Sequence, residues 1–142
     1  MNKERLLLLA EFLETKVPED RFDYTTVVGS NWKYALDLSC GTVACALGWA
    51  TQIPELAAEG LTLQLLLENR SMFIKAMQVF NISELDADLL FIPAMSARRL
   101  IDGKWREVKN SLGDNASAKE VAAHIRGFVA RDGHWDTHAV EG

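Results

Sequence analysis

Residues 40–50 read CGTVACALGWA, and this stretch decides how the rest of the chain folds around it. Its side chains leave no polar face, and a helix that is apolar all round is buried within a protein. Ser39 offers an N-cap immediately before the stretch, and Pro54 sets its end. We therefore predict a buried central helix from Cys40 to about Ala50.

The glycines and cysteines of this segment bear on its packing. Gly41 and Gly48 each cost roughly 1 kcal/mol of helix propensity relative to alanine, so we expect neighbouring backbone to approach closely at these positions. A helix would separate Cys40 from Cys45 by about 7.5 Å of rise and roughly 140° of rotation. That geometry suits neither a disulfide nor joint metal ligation, so we interpret both cysteines as packing residues that face different neighbours.

Helical periodicity and capping residues predict four further helices. The clearest begins with a capping box formed by Ser117 and Glu120 and ends before Gly133. The other three cover residues 2–16, 71–81 and 83–91.

Three stretches are less regular. Residues 21–38 fit an ordered loop with one short extended piece. Residues 61–65 alternate apolar and polar side chains as a short strand does, but Leu66 and Leu67 interrupt the alternation, so a helical turn is the alternative. Within residues 94–111 we expect a helical turn near Arg98, followed by a turn at residues 102–103. The predicted fold class is therefore mainly α: a compact single-domain helical fold around the buried central helix, with room for one short β-hairpin.

The length and composition fit one globular domain. A chain of 142 residues can bury roughly two-thirds of its unfolded surface, and its 49% hydrophobic and 25% charged residues are ordinary values. We assign residues 1–133 to a single helical domain. Residues 134–142 are interpreted as a flexible C-terminal tail.

The charge and the absence of targeting segments narrow the functional classes. A formal net charge of −5 argues against a general DNA- or RNA-binding protein. The sequence shows neither a signal peptide nor an apolar run near the roughly 20 residues that span a membrane. With two cysteines and no export signal, the expected location is the cytoplasm. A local basic cluster nevertheless comprises Arg98, Arg99, Lys104, Arg106 and Lys109.

Residues 40–50 also resemble a motif of small uncharacterised bacterial and phage proteins, which runs Cys-Gly-Thr, two residues, Cys, two residues, Gly-Trp-Ala. The flanks are similar too, with Arg-Phe-Asp at 21–23 and Ile-Pro at 53–54. The resemblance implies membership of a domain family and brings no activity with it. The remaining similar pieces are Gly60-Leu61, Phe80-Asn81-Ile82 (where asparagine stands in place of an expected glycine), Leu90-Phe91 before Pro93, and the helix at 121–129.

Cys40 is the strongest candidate for chemistry. A cysteine in the first turn of a buried helix lies near the positive end of the helix dipole, which favours the thiolate. A cysteine-dependent hydrolase or transferase also needs a histidine base, which His124 or His134 would have to supply. We favour the alternative, in which Cys40 is a small buried residue that packs at a tight helix start. A catalytic cysteine also needs a base beside it, and the sequence does not place a histidine there.

A weaker hypothesis is a zinc site near the C-terminus. His134 and His138 are four residues apart, a spacing that can place two imidazoles on one helix face, and Asp136 would be a third ligand. The alternative is a solvated tail. The sequence contains no glycine-rich phosphate loop, nucleophile elbow or Walker pattern, so we expect no cofactor.

The tryptophans suggest a binding surface. Trp32 and Trp105 lie in the less regular stretches, and exposed tryptophans are frequent binding hot spots. The alternative is a large side chain that packs a loop onto the core. We take Trp105, Arg98 and Arg99 as the candidate contact patch. The preferred hypothesis is a small non-enzymatic module that acts through protein–protein contacts, with its partner, process and oligomeric state left open by the sequence.

Overall fold

Six α-helices and a small antiparallel sheet make up the part of the chain that the computed structural model describes, in agreement with the mainly α fold predicted from the sequence. None of these helices is long and apolar enough to cross a membrane. The described residues are 1–24, 45–62, 71–135 and 137–139, with the backbone alone described for 71–73, 99, 101 and 137–139. The helices are α1 (Lys3–Thr15), α2 (Ala46–Ala50), α3 (Pro54–Ala58), α4 (Ser71–Phe80), α5 (Glu84–Phe91) and α6 (Ala118–Ala130), and a 3₁₀ turn spans Glu19–Arg21.

Helices α1 and α6 pack against each other, and each begins at a residue whose side chain caps it. The side chain of Asn2 accepts a hydrogen bond from the Arg5 N–H at 3.1 Å. At the start of α6, Ser117 and Glu120 form the complete capping box, with both hydrogen bonds at 3.1 Å. Each cap satisfies backbone donors that have no partner inside the helix. The buried faces of the two helices consist of Leu6, Leu9, Ala10 and Leu13 in α1, and of Val121, Ala122, Ile125, Phe128 and Val129 in α6.

The central helix is shorter than predicted. Cys45 has extended backbone (φ −80°, ψ −178°) and is the N-cap of α2, so a continuous helix through residues 40–50 is wrong. The helix runs from Ala46 to Ala50, with all five residues buried, and residues 40–44 lie outside the described part. The physical reason is that an all-apolar run reports burial without fixing the backbone conformation.

Two blocks of the sequence motif contact each other at α2. Trp49 is buried, and its indole Nε1 donates a hydrogen bond to the carbonyl of Arg21 at 3.1 Å. The Arg21 guanidinium carbon lies 5.1 Å from the centre of the Trp49 ring. Trp49 therefore serves to hold the 3₁₀ turn against the core.

The hairpin lies in a stretch for which a helical turn was expected. Strand β1 (Ser96–Ile101) pairs with β2 (Lys104–Lys109), and Arg98 lies opposite Glu107, so the helical turn near Arg98 is wrong. The turn at Asp102 and Gly103 is confirmed, with φ of 53° and 76°. Two consecutive positive φ values define a type I′ turn, whose twist suits a two-residue hairpin. This turn chemistry outweighs the weak helical pattern.

Regular structure continues beyond residue 133, the predicted end of the helical domain. Gly133 (φ 81°) closes α6 as predicted, its N–H bonded to the Phe128 carbonyl at 2.9 Å. Trp135 then packs its ring 4.7 Å from that of Phe128 and donates from Nε1 to Asp86 Oδ1 at 2.8 Å. Strand β3 (Thr137–Ala139) pairs antiparallel with β2, which gives the strand order β1-β2-β3. Residues 136 and 140–142 of the predicted tail lie outside the described part.

Two irregular stretches are described only in part. The 3₁₀ turn is followed by a bridge at Phe22 and a turn at Tyr24, whereas residues 25–38 of the predicted loop are outside the described ranges. Leu61 and Thr62 are not in a strand, and residues 63–65 of the predicted short strand are outside them as well.

Candidate functional site

A buried hydrogen-bond cluster fixes the base of the hairpin. Asn110, the residue after β2, is fully buried and donates from Nδ2 to the Tyr24 hydroxyl at 2.8 Å and to the Ile92 carbonyl at 2.9 Å. Its Oδ1 accepts from the Leu112 N–H at 3.0 Å. Tyr24 in turn donates its hydroxyl to the Leu90 carbonyl at 2.5 Å. Because the side-chain polar groups of Asn110 and Tyr24 have hydrogen-bond partners, these bonds offset the cost of removing the groups from water.

The Tyr24 phenol is held in its neutral form. Burial raises the pKa of Tyr24, and the hydrogen bond from Asn110 opposes that change only in part. The hydroxyl therefore remains a donor to the Leu90 carbonyl at every physiological pH. The cluster joins the segment after the 3₁₀ turn, the end of α5 and the root of the hairpin into one rigid base.

The far end of the hairpin exposes an apolar pair. Leu100 and Trp105 are direct cross-strand partners and are 61% and 59% exposed. They lie on the opposite face of the sheet from Val108, which is buried, because successive residues of a strand alternate between faces. The third large exposed apolar side chain of the described residues, Ile74, is on α4. Two of the three therefore form a single exposed pair.

Basic residues flank this pair. The hairpin, residues 96–109, contains five basic and two acidic side chains, a formal charge of +3. Since the whole chain carries −5, the remaining residues carry −8. Arg98 is exposed and lies two residues before Leu100 on the same face of β1, opposite Glu107. We call this face, formed by Arg98, Leu100, Trp105 and Glu107, the hairpin face.

The predicted contact patch is brought together only in part. Arg98 and Trp105 share the hairpin face. Arg99 pairs with Arg106, which is not one of the residue pairs of that face, and the side chain of Arg99 is not described. Trp32 lies outside the described residues. Leu100 was missed from the sequence, although the two-residue turn after Ile101 fixes the register that places it opposite Trp105.

The histidine proposed as a catalytic base is engaged elsewhere. His124 Nε2 lies 2.9 Å from the Leu89 carbonyl, and its ring is 5.4 Å from that of Trp135. Burial lowers the pKa of His124, and the hydrogen bond to the Leu89 carbonyl opposes that change only in part, so the neutral ring is favoured. That ring donates its Nε2 proton to a backbone carbonyl.

The remaining parts of the cysteine hypothesis are not assembled in the described residues. His134 is exposed and contributes its carbonyl to a hydrogen bond from Arg131 Nε at 2.9 Å. Cys40 lies outside the described residues. Its proposed activation required a helix that starts at Cys40, whereas α2 starts at Ala46.

Cys45 is a buried thiol, as predicted. Burial raises the pKa of the Cys45 thiol, and hydrogen bonds from the backbone of Gly48 and Leu47 oppose that rise. The raised pKa keeps the sulfur protonated and poorly nucleophilic. In the described part of the chain Cys45 therefore has the properties of a packing residue.

The predicted zinc site is not tested by the described residues. His138 lies in β3 opposite Glu107, and its side chain is not described. Within the described ranges, no group of three or more histidine, cysteine, aspartate or glutamate side chains is placed to hold a metal ion. His134 and His138 stay a prediction from the sequence.

Comparison with known proteins gives no match. No protein-family model, no curated protein sequence and no solved structure is significantly similar to this chain.

Proposed function

We propose that this chain is a small non-enzymatic protein-binding module of the bacterial and phage family whose motif it resembles, and that the hairpin face is its contact surface. The observation that carries the proposal is the cross-strand pair Leu100 and Trp105, exposed at the end of a rigidly anchored hairpin. The cytoplasm is the proposed location.

The exposed pair favours a binding role on energetic grounds. Leaving a large apolar side chain in water forgoes about 1.5–3 kcal/mol relative to burying it, and this chain buries Trp49 and Trp135 in its core. Trp105 instead shares the hairpin face with the exposed Arg98. Tryptophan and arginine are the residues most enriched in binding hot spots.

The anchoring of the hairpin supports the same proposal. The Tyr24–Asn110 cluster fixes the hairpin root to α5, so a partner that binds Leu100 and Trp105 meets a preorganised surface. Preorganisation lowers the entropic cost of binding.

Charge favours a protein over a nucleic acid as the partner. The hairpin carries +3, but the remainder of the chain carries −8 within the total of −5. A long polyanion would be repelled beyond the hairpin. A protein surface of limited extent, with an apolar pocket for Leu100 and Trp105 and a carboxylate that pairs with Arg98, matches the hairpin face.

The proposal is tested by capture of partners with matched variants. The wild type, Trp105→Ala and Ile74→Ala are immobilised, exposed to lysate of the source organism, and the captured proteins are quantified by mass spectrometry. Ile74 is the control because it is an exposed large apolar side chain (52%) on α4 rather than on the hairpin. We expect at least one protein that is lost with Trp105→Ala and retained with Ile74→Ala.

Two outcomes would contradict the proposal. The first is a set of partners that both variants retain equally. The second is retention of nucleic acid in a Trp105-dependent manner, measured with a fluorescent oligo-dT. Unchanged thermal unfolding of both variants shows that any loss arises at the surface.

A further inference from the structure

We infer that the partner binds by strand addition: an extended peptide segment with an acidic side chain pairs antiparallel with the edge of β1 that faces away from β2 and that no described strand occupies. This inference rests on the proposed function and specifies how the hairpin face is used. Strand addition is a common mode of peptide recognition, in which backbone hydrogen bonds give affinity and alternate side chains give specificity.

The pattern of hydrogen bonds between β1 and β2 determines which backbone N–H and C=O groups of β1 point away from β2. The N–H of Asn110 donates to the carbonyl of Met95 at 2.8 Å, and hydrogen-bonded pairs recur at every second position of an antiparallel ladder. Residues 97, 99 and 101 therefore bond to β2. The N–H and C=O groups of Ser96, Arg98 and Leu100 point away from β2.

These outward groups form an open edge. The sheet order is β1-β2-β3, so β2 is paired on both sides and β1 on one side among the described residues. Ser96, Arg98 and Leu100 are all exposed. The edge thus presents three donors and three acceptors, spaced by about 6.8 Å between successive alternate residues.

An extended peptide matches this edge better than a nucleic acid does. A peptide backbone supplies both N–H and C=O groups in the same alternating order as the edge. A phosphodiester backbone supplies only acceptor oxygens, so the three outward carbonyls of β1 would have no donors.

Charge distinguishes an acidic partner from a second copy of this chain. Strand β1 contains Arg98 and Arg99 and no acidic residue. Antiparallel pairing of β1 with its own copy centred on Arg98 or Arg99, the middle of the strand, would place like charges opposite each other, which is unfavourable. A carboxylate opposite Arg98 is favourable by the same rule.

The register also specifies the side chains of the peptide. In an antiparallel pair, the residue opposite Leu100 comes two positions before the residue opposite Arg98. An apolar residue opposite Leu100 would extend the Leu100–Trp105 row, and a carboxylate opposite Arg98 would extend the Arg98–Glu107 row. The recognised pattern is therefore apolar, any residue, acidic.

The probe is a fluorescein-labelled nonapeptide of threonine with leucine at its fourth position and glutamate at its sixth. We expect saturable binding by fluorescence polarisation. Amide exchange measured by NMR should slow on binding at Ser96, Arg98 and Leu100. The amides of residues 97, 99 and 101 already bond to β2 and should change little.

Two variants of Leu100 distinguish the contribution of its backbone N–H to binding from that of its side chain. Leu100→Pro removes the outward N–H of Leu100 without removing a hydrogen bond to β2, whereas Leu100→Ala keeps that N–H. We expect Leu100→Pro to bind the peptide at least about tenfold more weakly than Leu100→Ala. Arg98→Glu should weaken binding, whereas Lys119→Glu, the same charge change at an exposed site on α6, should not. An unaltered amide spectrum outside residues 94–112 shows that each variant is folded.

The outcomes distinguish strand addition from the proposed function. Equal affinity of Leu100→Pro and Leu100→Ala, combined with loss of binding in Trp105→Ala, would overturn strand addition and leave the contact surface in place. Equal binding of a peptide with lysine for glutamate, competition by oligo-dT, or edge protection that depends on self-association would also overturn it. If Trp105→Ala binds the captured partners as the wild type does, the proposed function itself is wrong.

Discussion

The side-chain amide of Asn110 donates to the hydroxyl of Tyr24 at 2.8 Å, which joins residues 86 positions apart in the sequence. The Tyr24 hydroxyl donates to the Leu90 carbonyl, and the side-chain amide of Asn110 also donates to the Ile92 carbonyl. The pair therefore determines where the hairpin leaves the helical core.

Asn110→Ala should destabilise the protein by about 2–4 kcal/mol, because it removes three side-chain hydrogen bonds, one buried and two partly buried, and leaves carbonyl and amide groups unpaired. Tyr24→Phe should cost about 1–3 kcal/mol, since the Leu90 carbonyl loses its donor. Urea unfolding measures both changes. Asn115→Ala, at an exposed turn position, is the control and should stay within about 0.5 kcal/mol.

The double variant tests whether the two residues act as a unit. Contact between them predicts a coupling free energy of about 0.5–3 kcal/mol in a double-mutant cycle. Strictly additive effects would show that the cluster does not join the two segments.

Trp135→Ala should destabilise the protein by about 3–5 kcal/mol, whereas Trp105→Ala should change stability by less than about 0.5 kcal/mol. Trp135 is buried against Phe128 and bonded to Asp86, whereas the Trp105 side chain is mostly exposed. Thermal unfolding of the two variants gives the comparison. Similar losses in both would mean that Trp105 is a packing residue, which would argue against the proposed surface.

His124 should make stability depend on pH. Burial lowers the pKa of His124 below its ordinary value of 6.5, so the fold holds the neutral ring. The stabilisation is fully present above about pH 6.5 and is lost as the pH falls through the lowered pKa of the folded state.

Replacement by glutamine isolates this effect. His124→Gln keeps a donor for the Leu89 carbonyl and does not titrate. The melting temperature of the wild type minus that of the variant should decrease between pH 7.5 and pH 5. A constant or increasing difference would contradict the assignment of a buried neutral imidazole.

Cys45 should resist alkylation in the folded protein, because the thiol is buried and burial raises its pKa. In the Cys40→Ser variant we expect no modification by iodoacetamide at neutral pH and one modification after denaturation, both measured by intact mass. Rapid labelling of the folded variant would show that Cys45 is accessible.

The same experiment on wild type reports whether Cys40 is reactive, as the hydrolase hypothesis requires.

Local signals predicted the local structure well. The capping box of Ser117 and Glu120 located the start of α6, and Gly133 ended that helix as expected. These features depend on backbone donors and acceptors within a few residues of each other, so the sequence alone specifies them.

Features that depend on distant partners were not predictable in this way. The apolar run around Cys45 reported burial but not its extended backbone, and Arg98 was assigned to a helical turn although it pairs with Glu107. Neither the contact of Tyr24 with Asn110 nor the packing of Trp135 on Phe128 leaves a periodic signal in the sequence. Only the Asp-Gly turn pointed to the hairpin that carries the candidate surface.

The most direct test of the central claim is the affinity of a purified captured partner for two single variants. We predict that Trp105→Ala raises the Kd by at least about tenfold, equivalent to about 1.4 kcal/mol of binding free energy. Ile74→Ala should leave the Kd within about twofold of the wild type. Equal Kd values for the two variants would contradict the claim that the hairpin face is the contact surface.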